Sequence, residues 1–198
     1  MEKQQQDSSS KNPKKENFKG DYLKNPIGVV KFYKRCCEFE KGRLADLRRT
    51  SSPEEVFACS LFFSFLRETQ DTDKLDIKGL AVLLGCLARI KENNGKNFFA
   101  TLGGSAEGEK PKLSEHRFNR LMRAKTHDEF YRHLFRVLAL LKNEVNIDQL
   151  GEFIMHKSHQ LQHPDYMDKN HKKSFFFRLS AYYYGYTQEL QKTDNLTP

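Results

Sequence analysis

Seven arginines are spaced so that they could grip a chain of phosphates. Arg48 and Arg49 form a doublet, and Arg117, Arg120, Arg123, Arg132 and Arg136 fall within residues 113–142. With Lys125 and Lys142 that stretch holds seven cations against Glu115, Asp128 and Glu129, a net of +4. Arg117 with Arg120, Arg120 with Arg123, and Arg132 with Arg136 stand three or four residues apart. On a helix each pair shares a face, with Cβ atoms roughly 5–6 Å apart. Guanidinium groups at that spacing reach successive phosphates and bond them bidentately where geometry permits. The competing reading is an ordinary solvated face, neutralised internally by pairs such as Glu129 with Arg132 or Arg136.

Other constellations point to no chemistry. His156, His159 and His163 sit in HKSHQLQH. The first two share a helical spacing, but no Cys, Asp or Glu completes a metal set and Pro164 follows. Exposed or backbone-bonded histidines are the expectation, with no metal and no other cofactor. There is no GxSxG, no phosphate-binding glycine loop and no motif around a cysteine, so the chain reads as a non-enzyme. Asp71, Asp73 and Asp76 lack the glycine and distal glutamate of a calcium loop, and helix capping explains them better. Tyr182, Tyr183, Tyr184 and Tyr186 follow Phe175, Phe176 and Phe177. Such rings could stack on bases, but in a helical chain without Trp they are expected to fill the core and an interface.

The whole chain agrees with a polyanion partner. It has 198 residues, a net charge of +8, 30% charged residues and 37% hydrophobic ones. That supports one compact domain or two small helical bundles, and the basic excess favours nucleic acid or an acidic protein surface. No apolar run approaches the ~20 residues of a membrane span, so no membrane partner is expected. The N-terminal residues lack the apolar stretch of a secretory signal. Cys36, Cys37, Cys59 and Cys86 form neither a CxxC pair nor a disulfide framework, which fits a reducing cytoplasm.

The elements that must position the arginines read as helices. Residues 1–25 are polar and lysine-rich, a flexible, disordered tail in expectation. A first helix runs from Pro26 through Val29, Val30, Tyr33, Cys37 and Glu40, with Gly42 as its stop and GRLADLRRTSS as a turn. Ser51 or Ser52 caps the next, with Pro53 at its first position and Glu54 and Glu55 in its first turn. VFACSLFFSFLRE, apolar nearly all round, reads as the central buried helix. Ile77, Leu80, Leu83, Leu84 and Leu87 give a helix over about 75–92. Residues 93–112 read as a long Gly-rich surface loop with a short helical or extended piece at Asn97–Leu102. Ser114 opens a helix with Phe118, Leu121 and Met122 inward. Thr126 and Glu129 form a capping box for another, carrying Phe130, Leu134, Val137, Leu138 and Leu141. Asn146 caps a short helix with Ile147, Leu150, Phe153 and Ile154. Asp165 or Asp168 starts the last one. The fold class is all-α, two packed helical bundles with halves at 26–92 and 113–191, the loop 93–112 between them, and a tail over 192–198.

Three blocks carry a family resemblance. GRLADLRRTSSPEEVFACSLFFSFL resembles a pattern of a glycine, an Ala-x-hydrophobic-Arg-Arg turn, an acidic helix start and an aromatic-rich helix. SEHRFNRLMRAKTHDEFYRHLFRVLALLKNEVNIDQLGEFIMH resembles a second block, with Arg-x5-Arg-Ala, and KKSFFFRLSAYYYG a terminal basic-aromatic helix. Together, over residues 26–187, they resemble the CasB-type small subunit of the type I-E CRISPR surveillance complex Cascade. Two tryptophans of that family's pattern fall here at Lys157 and Phe177, and the first 25 residues have no counterpart.

The resemblance implies a non-catalytic, all-helical subunit in antiviral defence. It would sit as paired copies with the Cascade backbone and large subunits, bind guide RNA and target DNA through the assembled complex, and stabilise the R-loop including the displaced strand. Carried over by position, Arg48, Arg49, Arg117 and Arg123 match motif arginines. Arg120, Arg132 and Arg136 join them from helix geometry. The alternative is a free-standing basic helical protein that binds nucleic acid or regulates without partner subunits.

Overall fold

The computed structural model describes residues 41–68, 76–104, 110–164 and 174–186. The tail at 1–25, the helix expected from Pro26 to Glu40, and the starts at Asp165 or Asp168 lie outside them. The described residues form helices α1 (Lys41–Arg49), α2 (Pro53–Phe57), α3 (Ser60–Glu68), α4 (Ile77–Leu87), α5 (Phe98–Gly103), α6 (Glu115–Met122), α7 (His127–Leu140), α8 (Ile147–Gln162) and α9 (Phe175–Tyr183). A two-residue parallel ladder, β1 (Glu92–Asn93) with β2 (Glu144–Val145), completes the set. The fold is all-α as expected.

Helix α1 replaces the expected turn. Gly42, expected as the stop of the preceding helix, is the second residue of α1. One glycine costs a helix about 1 kcal/mol, and burial of Leu44 and Leu47 three residues apart outweighs that. Arg43 also binds α1 to α3, donating from Nη2 to Ser64 Oγ at 2.6 Å and from Nε to Ser60 Oγ at 3.2 Å. The start of α2 follows the sequence signal. Ser52 Oγ accepts from Glu55 N at 3.2 Å, while the Glu55 carboxylate accepts from Ser51 N at 2.7 Å and Ser51 Oγ at 2.6 Å.

The stretch expected to be one central helix is two. Ala58 and Cys59 bond three residues back, to Glu55 O at 3.1 Å and Val56 O at 3.0 Å, and the chain is redirected there. That break lets α2 pack on α4 while α3 packs beside α1. It leaves Phe63 53% exposed, so α3 is not the centre. The centre is α4, where every residue from Gly79 to Leu87 is buried. It packs against α2, α7 and α8, and no charge interrupts it after Lys78.

Further along, Phe98, Phe99 and Leu102 of α5 are buried, so this part of the expected surface loop is core. Asn97 caps α5 through Ala100 N at 2.9 Å, and Phe99 meets Phe153 of α8 edge to face at 5.0 Å. Thr126 Oγ1 accepts from Glu129 N at 3.1 Å to open α7. Asn146 Oδ1 accepts from Gln149 N at 3.1 Å to open α8, which at 16 residues is longer than expected. Lys142 and Asn143 take positive φ (56° and 64°) and turn the chain from α7 into β2. Finally α9 docks on α5. Tyr183 stacks on Phe118 with centroids 3.9 Å apart, and its hydroxyl donates to Leu113 O at 2.7 Å.

Lys157 is 3% exposed. Its Nζ donates to Met122 O at 2.7 Å, a carbonyl at the end of α6, and to Gln160 Oε1 at 2.8 Å. Burial pushes its pKa from 10.5 down to about 8. Below pH 8 both folded and unfolded chains carry this proton. As pH rises from about 8 towards 10.5 the unfolded chain holds more protons than the folded one, so stability rises. Urea midpoints measured over that window are expected to climb in the wild type relative to Lys157→Met. Parallel pH profiles for the two would contradict it.

Candidate nucleic-acid interface

All seven arginines singled out by the sequence are exposed. The capping box explains why Arg132 and Arg136 are free of the Glu129 pairs that would neutralise them. The Glu129 carboxylate is turned back to accept from Lys125 N at 2.9 Å and lies 3.6 Å from His133 Nε2. The backbone hydrogen bond from Lys125 is the main cause holding its carboxyl below the usual range. Glu129 therefore makes no ion pair with Arg132 or Arg136. Arg117, Arg120, Arg123, Arg132 and Arg136 form no ion pair with any described residue. Arg49 meets Asp46 at 3.3 Å, an exposed pair of the kind worth about 0–1 kcal/mol.

Two adjoining clefts gather five of the seven. The first, of about 590 Å³, lies between the end of α1, the end of α4 and the outer face of α7. Arg49, Arg132 and Arg136 line it, with Thr50, Ser51, Ser52, Arg89, Asp128 and Phe135. The second, of about 530 Å³, lies between α6 and α7. Arg117, Arg120 and Arg136 line it, with His133, Leu113, Val137, Ala139 and Leu140. Arg136 belongs to both. The α6 and α7 arginines share a surface because Phe118 and Leu121, and Phe130, Leu134 and Val137, bury the opposite faces.

Two arginines stand apart from the clefts. Arg48 donates from Nε to Ala88 O at 2.6 Å. Arg123 ends α6, its N–H bonded to Asn119 O at 2.9 Å. Arg89, Phe135, His133 and Asp128 were not legible as site residues. The one hint was Arg89 itself, a lone cation ending an otherwise uncharged apolar run.

Among the described residues Asp128 is the one carboxylate lining the first cleft, and its charge would repel a phosphate placed there. Asp128→Asn is expected to tighten nucleic-acid binding about two- to fivefold at low salt and to converge with wild type at high salt. Filter binding across a salt series checks this, and weaker binding by the variant would contradict it.

His156 and His159 are half-buried, and His163, just past the end of α8, is exposed and donates its backbone N–H to His159 O at 2.9 Å. His156 stacks on Phe175 with centroids 3.8 Å apart, and burial pushes its pKa down to about 4. His159 and His163 lie 4.7 Å apart, ring to ring. Among the described residues no three His, Cys, Asp or Glu side chains gather to hold a metal ion. No described helix is long and apolar enough to cross a membrane.

Described residues that are mostly helical, with adjoining arginine-lined clefts and a core filled by aromatic and aliphatic side chains, define a helical module with a basic face. The family model of CRISPR-associated protein Cse2 matches residues 43–184, and the chain belongs to that family, the small subunits of the CRISPR Cascade complex. No curated protein and no solved structure matches the chain.

Proposed function

We propose that this Cascade small subunit holds nucleic-acid backbone along the two adjoining clefts and so stabilises the R-loop formed by guide RNA and target DNA, displaced strand included. The observation that carries the reading is Arg136 standing in both clefts, so that Arg49, Arg132 and Arg136 continue into Arg120 and Arg117. Arg48 and Arg123 flank this track.

The physics supports such a role. An RNA–DNA heteroduplex is about as stable as the DNA duplex it replaces, so phosphate contacts tip the exchange. The guide RNA reads sequence, and exposed arginines suffice for a backbone clamp. The chain acts without catalysis, and its protein partners are the Cascade backbone and large subunits and a second copy of itself.

Mobility shift of a matched target by the reconstituted guide-RNA complex, with and without this chain over a salt series, tests the reading. The chain is expected to slow target dissociation and steepen the salt dependence. No change on adding it, with tight DNA binding by the isolated chain, would favour a free-standing role instead.

A further inference from the structure

The ends of α1 and α4 are tied by a reciprocal pair of arginines. Arg48, in the last turn of α1, donates from Nε to Ala88 O, the residue that caps α4. Arg89, the next residue, donates back. Its Nη1 reaches Gly85 O at 2.7 Å and Leu47 O at 3.2 Å, and its Nη2 reaches Thr50 O at 2.6 Å. Each helix therefore has a C-terminal carbonyl satisfied by the other's guanidinium, which also suits the negative end of each helix dipole. The Arg89 guanidinium further lies 3.5 Å from the centre of the Phe135 ring on α7. One planar group thus touches α1, α4 and α7 at once.

These are the three elements that bound the first cleft. Thr50 lines one wall beside Arg49, and Phe135 lines the cleft from α7 together with Arg132 and Arg136. Arg89 is half-buried and commits its Nη1 and Nη2 to three carbonyls.

We infer that Arg89 is a positioning residue for the phosphate track: it fixes the end of α1, and with it Arg49, opposite Arg132 and Arg136. The inference rests on the reading of the clefts as a nucleic-acid surface. A lysine cannot take over, because one ammonium cannot lie flat on Phe135 while reaching three carbonyls.

The test is a double-mutant comparison in the reconstituted complex, reading target dissociation and its salt slope. Arg89→Lys is expected to speed dissociation about three- to tenfold and to lower the salt slope by about one, as Arg49→Ala does. The pair R49A/R89K is expected to be no worse than R49A alone, because Arg89 acts through Arg49. Phe135→Leu removes the ring platform without touching charge or carbonyl bonds, and is expected to show the same loss and the same non-additivity. A merely structural Arg89 would lower thermal stability and leave the salt slope unchanged, which overturns the inference. So would effects of R89K and R49A that multiply. Loss with R49A but wild-type behaviour with R89K and F135L overturns the positioning role and leaves the nucleic-acid reading standing. If R49A, R132A and R136A all behave as wild type, the nucleic-acid reading itself falls, and the positioning role with it.

Discussion

Gly85→Ala is expected to destabilise the fold by about 3 kcal/mol or more and to lower the thermal midpoint by roughly 6–12 °C. Gly85 lies in the buried run of α4, and a Cβ there would overlap the Tyr131 hydroxyl and ring of α7. Tyr131 has nowhere to retreat. It is fully buried, its hydroxyl donates to Thr50 Oγ1 at 2.7 Å, and its ring lies 4.0 Å from that of Phe135. The direction of that bond follows from Thr50, which gives its own proton to Leu47 O at 2.7 Å. Burial also pushes the Tyr131 pKa up, so the phenol stays protonated as a donor. Alanine gains about 1 kcal/mol of helix propensity over glycine, too little to offset the overlap. Melting followed by circular dichroism measures the effect. Tyr131→Phe in the G85A background is expected to restore part of the loss by deleting the overlapping oxygen. A midpoint change under about 2 °C in G85A would mean that α4 and α7 separate freely.

Replacing Arg49, Arg117, Arg132 and Arg136 together by alanine is expected to leave folding nearly intact and to weaken target retention about a hundred- to a thousandfold at moderate salt. The salt slope should become shallower by three to four, about one for each phosphate contact. The weakening should be uniform across matched targets of different sequence, because backbone contacts carry no base information. The four side chains are exposed, and none of them stands in the core. Their removal is therefore expected to shift the thermal midpoint by only about 1–2 °C. Co-purification with the complex, together with filter binding over a salt series, separates the alternatives. A collapse of helicity would make these arginines structural. Unchanged retention would remove the track.

What the sequence revealed was local. Ser52 with Pro53, Thr126 with Glu129, and Asn146 announce α2, α7 and α8, because a cap needs only neighbours within one turn. The three–four periodicity of Phe130, Leu134, Val137, Leu138 and Leu141 likewise sufficed to assign the buried face of α7. The misreadings all depend on distant partners. Gly42 sits inside a helix because Leu44 and Leu47 find cover on α3 and α4. The apolar run after Pro53 breaks at Ala58 and Cys59 to serve two surfaces, so centrality passes to α4. Phe98, Phe99 and Leu102 become core because α8 and α9 cover them, which the glycines and charges around them conceal.

The site divides along the same line. Helix geometry was enough to group Arg117 with Arg120 and Arg132 with Arg136. Nothing local shows that Arg136 is the wall common to two clefts, or that Arg49 arrives there across the α1–α4 junction. Arg48 and Arg49 look alike in sequence, yet the packing of α1 on α4 sends one Nε to Ala88 and leaves the other side chain 78% exposed.

The most direct measurement is site-specific photocrosslinking in the assembled complex with labelled target DNA, placing a photoreactive side chain at Leu140. This residue is 39% exposed on the rim of the second cleft. Phe63 on α3, 53% exposed and lining neither cleft, is the control. Crosslinks from Leu140 to a DNA strand, lost at high salt and absent from Phe63, are the predicted result. Crosslinks from Leu140 only to protein, with DNA captured from Phe63 instead, would contradict the assignment of the clefts.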